Sequence, residues 1–142
     1  MAMIELTPGY SVSPQIALED VQAAADAGIT LVICNRPDAE VPPELSHRAM
    51  EEAARAAGMA FVYIPVTNES LTLEQVTQQA DLLAEADGPV LAYCRSGTRS
   101  TLLWALTRAR AGDHPDVLAA QAAAAGYDIS PVRQIMDALK PQ

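Results

Sequence analysis

Short, uncharged, β-branched runs alternate with stretches of helical periodicity along this 142-residue chain. That alternation predicts an α/β fold, a mainly parallel central sheet of four to five strands flanked by helices. Glycine and proline punctuate the runs rather than interrupting them, which sets the element boundaries. The last third of the chain reads as consecutive helices, which adds extra C-terminal helices to one side of the sheet. The length fits one domain over residues 1–142, and a 50% hydrophobic content is enough to bury a core.

Ile4–Leu6 and Tyr10–Ser13 read as short strands. Leu18–Ala27 is a helix with Leu18, Val21 and Ala25 on one face, and Gly28 stands at the position after its end. Ile29–Cys34 is a buried strand, short and free of charge. Pro42-Pro43 opens a helix over Pro43–Ala57 that Gly58 closes, proline at the start and glycine past the end. Phe61–Val66 is a further strand. Thr72-Leu73-Glu74-Gln75 is a capping box, so a helix runs from there to Ala86. Gly88-Pro89 turns the chain into the strand Val90–Tyr93, followed by a polar loop Cys94–Arg99 and a helix Ser100–Ala111 that carries Trp104. Helices over Pro115–Ala125 and Pro131–Leu139 complete the pattern, with Ser130 as N-cap of the last.

Nine Lys+Arg against eighteen Asp+Glu give a net charge of −9. A surface so acidic repels phosphates, which argues against nucleic-acid or anionic-membrane partners but not against one local anion pocket. Two cysteines make no disulfide framework, and no apolar run approaches the roughly 18–20 residues of a membrane span. The first ten residues hold no basic residue and no long apolar run, so no signal peptide is expected and a cytoplasmic setting follows. Two well-separated histidines, no cysteine pair at ligand spacing and no dinucleotide or Walker-type loop leave no metal or cofactor to expect.

Chemistry concentrates in Val90-Leu91-Ala92-Tyr93-Cys94-Arg95-Ser96-Gly97-Thr98-Arg99-Ser100. A buried strand there runs into a cysteine, a polar loop and a helix start. Ligands of open α/β sheets sit at the carboxyl ends of the strands. The following helix contributes unpaired N–H groups and a partial positive charge, which suit an anion and favour a nucleophilic thiolate at Cys94. Gly97 permits close backbone approach, Arg99 can clamp an oxyanion through two parallel hydrogen bonds, and Ser96 and Thr98 contribute backbone N–H groups. Arg95 faces outward to recruit anions or is simply solvated.

The stretch Tyr93–Ser100 resembles the active-site loops of the cysteine phosphatase and rhodanese superfamilies. Pro14-Gln15, Ile33-Cys34-Asn35-Arg36-Pro37-Asp38, Tyr63-Ile64-Pro65-Val66, Gly88–Cys94 and Trp104 extend the likeness. Over about Ser11 to Arg108 the chain resembles the beta-lactamase-hydrolase-like, phosphatase-like domain family. The resemblance implies a cysteine-phosphatase-like sheet and a Cys94-based anion site.

Three departures bear on the reaction. Cys94 to Arg99 is Cys-x4-Arg, one residue shorter than the tyrosine-phosphatase pattern and similar to rhodanese loops. Tyr93 stands where phosphatases typically carry histidine. The region in which phosphatases keep an acidic residue reads Val66-Thr67-Asn68-Glu69-Ser70, where Asn68 cannot donate a proton. Glu69 and Asp38 are the remaining acid candidates, each equally readable as a loop or turn residue.

These departures favour a sulfurtransferase, in which Cys94 forms a persulfide from thiosulfate, polysulfide or a low-molecular-weight persulfide and passes it to a thiol or other acceptor. The alternative is a phosphatase acting through a Cys94 thiophosphate, with Ser100 easing departure of the thiolate. A sulfur carrier or anion-binding accessory domain, with a protein partner and no turnover of its own, is a second alternative. Arg36 and Asp38 line the pocket or form a surface pair. Cys34 is read first as a core cysteine and second as a redox partner of Cys94, since the two strands are expected to be neighbours.

Overall fold

A computed structural model describes residues 2–67 and 69–141. Its elements are β1 (Ile4–Thr7), β2 (Tyr10–Ser13), α1 (Leu18–Asp26), β3 (Leu31–Cys34), α2 (His47–Ala56), β4 (Ala60–Tyr63), α3 (Leu73–Glu85), β5 (Val90–Tyr93), α4 (Thr98–Arg110), α5 (Pro115–Ala124) and α6 (Arg133–Leu139). The five strands lie in the order β1-β2-β5-β3-β4. β1 pairs antiparallel with β2, and every other pair is parallel. The last strand in the chain is thus the middle of the sheet. Buried on both faces, it must be apolar throughout, and all four of its residues are buried.

The sheet separates two apolar layers. On one face Val12, Ile33 and Ala92 pack with Leu103, Trp104, Leu118 and Met136, so the later helices cover that side together. On the other face Val32, Leu91 and Tyr93 pack with Val21, Met50 and Ala54 of α1 and α2. α4 is the most enclosed helix, with eight buried residues, and Trp104 has no exposed surface.

The boundaries depart from expectation where a cap or a missing donor decides them. The helix expected over Pro43–Ala57 is two pieces: a 3-10 turn Pro43–Leu45, then α2. The Ser46 hydroxyl accepts the Ala49 N–H and so caps a new helix. β4 ends at Tyr63 rather than Val66 because Pro65 has no N–H. The Ile64 and Val66 N–H groups still donate to Cys34 and Asn35 carbonyls. α4 begins at Thr98 rather than Ser100, so Arg99 stands in its first turn rather than at the end of the loop. Ser130 is no N-cap: its hydroxyl donates to Asp128 Oδ2 at 3.0 Å inside a 3-10 turn, Ser130–Val132. The capping box at Thr72 and Gln75 is present.

Replacing Trp104 by Ala removes the largest fully buried side chain. A loss of about 3–5 kcal/mol in unfolding free energy is expected, read by circular dichroism in a urea titration because the chain has no second tryptophan.

Candidate active site

β5 lies between β2 and β3, and at its carboxyl end the chain leaves the sheet at Cys94. The Cys94 N–H donates to the Ser13 carbonyl at 3.4 Å, and the Arg95 carbonyl accepts the Gln15 N–H at 3.2 Å, so the segment after β2 steadies the loop. At Gly97 the backbone turns to φ 91°, and its N–H donates to Cys94 Sγ at 3.1 Å. The Thr101 hydroxyl and N–H both donate to the Gly97 carbonyl, which anchors the turn to α4. Tyr127, after α5, donates its hydroxyl to the Ser96 carbonyl at 3.0 Å. A Cβ at Gly97 would overlap that hydroxyl. Glycine is therefore required there twice over, by the positive φ and by the tyrosine.

Two side chains of the first turn of α4 then take opposite directions. Arg99 reaches across to Glu40, with Nη1 to Oε2 at 2.8 Å and Nη2 to Oε1 at 2.7 Å, and Nη1 also donates to the Val66 carbonyl at 2.7 Å. Arg36 holds the other side of Glu40. Hydrogen bonds from Arg99 keep the Glu40 carboxyl below the usual glutamate range, against the upward pull of partial burial. Ser100 is fully buried and donates its hydroxyl to Asn35 Oδ1 at 2.8 Å. Asn35 in turn donates to the Ile64 carbonyl. Above the loop lies a cleft of about 570 Å³, walled by Arg99 and Glu40, by Thr67 and Glu69, and by Arg95, Ser96 and Thr98. Cys94 has no exposed surface; the thiol sits beneath the loop.

Residues 2–111 match the family described as beta-lactamase hydrolase-like protein, phosphatase-like domain. The chain belongs to that family. It is 31% identical over 112 residues to a beta-lactamase hydrolase-like protein of Agrobacterium fabrum, covering 79% of this chain and 26% of that one. The chain therefore spans about a quarter of the length of the curated relatives it matches. A crystal structure of a candidate phosphatase from Neisseria meningitidis superposes with a TM-score of 0.83 at 35% identity, over 99% of each chain. The core catalytic domain of the PP-IP phosphatase SIW14 from S. cerevisiae, solved with citrate, shares the fold at 11% identity, with a TM-score of 0.73 over 96% of this chain and 84% of that one. The fold is thus cysteine-phosphatase-like, and the family and the Neisseria likeness favour the phosphatase alternative over the sulfur-transfer expectation.

Within this phosphatase-like domain, Cys94, Arg95, Ser96, Gly97, Thr98 and Arg99 come together as the sequence implies. Three further expected residues divide. Glu69 stands in the cleft wall. Asp38 is taken up by His47: it accepts the His47 N–H at 2.8 Å, and the ring Nδ1 lies 2.6 Å away, stacked on Tyr63. Partial burial pulls the Asp38 carboxyl upward, but the His47 hydrogen bonds win and hold it below the usual range, which leaves a poor proton donor. Arg36 serves Glu40 and Gln15 rather than a ligand. Asn68 lies outside the described residues.

The role expected for Ser100 is not met, since its one hydroxyl proton goes to Asn35; the Gly97 N–H takes the sulfur instead. Cys34 does sit on a neighbouring strand, but in register with Tyr93, one residue before Cys94, and it packs in the layer of α1 and α2. Successive side chains of a strand alternate in face, so Cys34 shares its face with Tyr93. Both cysteines are free. The Cys34 S–H donates to the Arg36 carbonyl, and burial pushes the thiol up to about 11, an inert protonated group at neutral pH.

Glu40, Asn35 and Tyr127 are the site residues that sequence reasoning missed. Glu40 carries a weak signal, a glutamate four residues after Arg36 on the loop beyond β3. Tyr127 carries none, because its distance in the chain from Gly97 hides the contact.

Two outcomes follow. Gly97→Ala strains φ and collides with Tyr127, so it disorders the loop; activity is expected to fall to the level of Cys94→Ser while circular dichroism still shows a folded chain. Glu40→Gln weakens the hold on Arg99 and lowers kcat/KM. Because the folded Glu40 carboxyl lies below its unfolded value, the pair contributes stability above the carboxylate range and loses it as pH falls through the shifted value. The melting temperature of the native chain should therefore drop more steeply on acidification than that of Glu40→Gln.

Proposed function

We propose that this chain is a cysteine-dependent phosphatase acting on small anionic phosphate esters. The observation that carries the reading is that Glu69 shares one cleft with Arg99 and the Cys94 loop. An acid candidate and an anion-binding loop meeting over a buried cysteine is the set that phosphate-ester hydrolysis needs. The family and the phosphatase-like relatives support it.

In the first step the Cys94 thiolate attacks phosphorus and the P–O ester bond breaks. Glu69, as the carboxylic acid, passes its proton to the departing oxygen, and a Cys94 thiophosphate forms. The loop N–H groups take the charge on the transferring oxygens; the two parallel hydrogen bonds expected of Arg99 go to Glu40 instead, so Arg99 adds its positive charge from the cleft wall. In the second step a water gives a proton to the Glu69 carboxylate and its oxygen attacks phosphorus; the new P–O bond forms as the S–P bond breaks, the sulfur keeps that electron pair, and inorganic phosphate leaves the restored Cys94 thiolate. Since the thiol has no exposed surface, attack requires the loop over it to open toward the cleft.

Persulfide transfer is the second reading, favoured by one observation: the Ser100 hydroxyl is committed to Asn35 and cannot donate to a departing thiolate. Transfer of sulfur needs no such help and no general acid. There the Cys94 thiolate attacks the outer sulfur of thiosulfate, sulfite leaves with the electron pair of the S–S bond, and a thiolate acceptor later takes the sulfur and regenerates Cys94.

Phosphate release from a simple aliphatic ester, measured beside intact mass after incubation with thiosulfate or polysulfide, decides between them. For the phosphatase, release is lost in Cys94→Ser and reduced about 10²-fold in Glu69→Gln, in line with the worth of a general acid. No release, together with a one-sulfur mass gain that Cys94→Ser lacks and cyanide removes, overturns it in favour of persulfide transfer.

A further inference from the structure

The cleft over the loop has an uneven charge inventory. Arg36 and Arg99 are both spent on Glu40. Arg55, Arg108 and Arg133 are likewise paired with carboxylates on the surface. Arg95, like Arg48 and Arg110, forms no ion pair with another described residue, and of these three only Arg95 stands in the cleft wall, where it is exposed. In a chain of net charge −9, an uncommitted guanidinium beside the reaction site is an unusual placement.

The cleft is also mainly polar. Its described walls hold two carboxylates, two guanidiniums and the hydroxyls of Thr67, Ser96 and Thr98, with no aromatic ring and no aliphatic side chain. Pockets that hold aryl groups present mainly apolar or aromatic surface to them, and the apolar share here is the smaller one, supplied by threonine methyls and side-chain stems rather than by a ring. A substrate matched to these walls is compact, hydrophilic and anionic at more than one point. Arg95, one residue after the nucleophile, and Arg99 stand in the same walls.

We infer that Arg95 is a specificity-determining residue that binds a second anionic group of the substrate, and that the cleft selects small aliphatic compounds carrying two neighbouring anionic groups over aryl or singly charged ones. The inference rests on reading the cleft as the catalytic anion site. It does not depend on which bond is cleaved there. The guanidinium presents paired N–H donors to a phosphate or carboxylate. Glu69 stands in the same walls and opposes part of that attraction, and solvent screens the rest, so the expected gain is about tenfold rather than the full worth of a buried charge-assisted bond.

Calorimetric titration of the whole chain with methylphosphonate and with methylenebisphosphonate tests this without turnover. The bisphosphonate is expected to bind about tenfold tighter. In Arg95→Ala its affinity falls to that of methylphosphonate, and Arg95→Lys, which keeps the charge, retains part of the difference. Equal affinity for the two probes, a difference that survives Arg95→Ala, or no binding of either overturns the inference. If no phosphate ester is hydrolysed yet the Arg95-dependent difference is present, the phosphatase reading falls and this one stands.

Discussion

Arg99 ties together three segments that are remote in the chain. Its guanidinium leaves the first turn of α4, closes two hydrogen bonds on Glu40 in the loop after β3, and donates a third to the Val66 carbonyl after β4. Exposed ion pairs usually contribute little. This one has both partners largely enclosed, uses parallel bonds, and includes a carbonyl that would otherwise lack a partner. The Cys94–Arg99 loop, the loop after β4 that carries Glu69 and the cleft between them are tied together through it.

A second constraint is the burial of β5. A strand enclosed on both faces and flanked by parallel neighbours must end in a direct turn into a helix if its last backbone groups are to be satisfied. Here the turn is so tight that Gly97 adopts a left-handed conformation and lays its N–H against the Cys94 sulfur. The backbone N–H groups of Arg95, Ser96, Arg99 and Ser100 make no hydrogen bond to another described residue. An anion-binding surface is therefore a by-product of how the central strand stops. Tyr127 closes the far side of the turn and carries the influence of the C-terminal helices to the loop.

The same geometry leaves one place on so acidic a chain where negative charge is offset. Glu40 is neutralised by two arginines, Asp38 is engaged by His47, and the negative charge that remains near the loop is mainly that of Glu69. Arg95 and the helix N-terminus then set the local sign against the net charge of the chain. Asp38 and Glu69 look interchangeable in the chain as acids on loops after strands. Packing separates them: one is locked in a histidine pair, the other stands in the cleft.

Much of this was legible in the chain itself. The alternation of short apolar runs and helical periods determined the α/β class. The Thr72 capping box and the Gly88-Pro89 turn placed their elements, and the Cys94–Arg99 motif located the site, because each is a local signal in which neighbouring residues dictate backbone geometry. Tertiary structure alone decided the rest. Glu40 is 59 residues from Arg99 and Tyr127 is 31 from Ser96, separations at which no periodicity or capping rule operates. Ser100 turns to Asn35 because both are buried and each is the other's available partner. Cys34 shares its face with Tyr93 because strand register, not sequence spacing, chooses the face. Local sequence specifies where a nucleophile can stand; which groups surround it follows from the way distant segments satisfy one another's buried polar atoms.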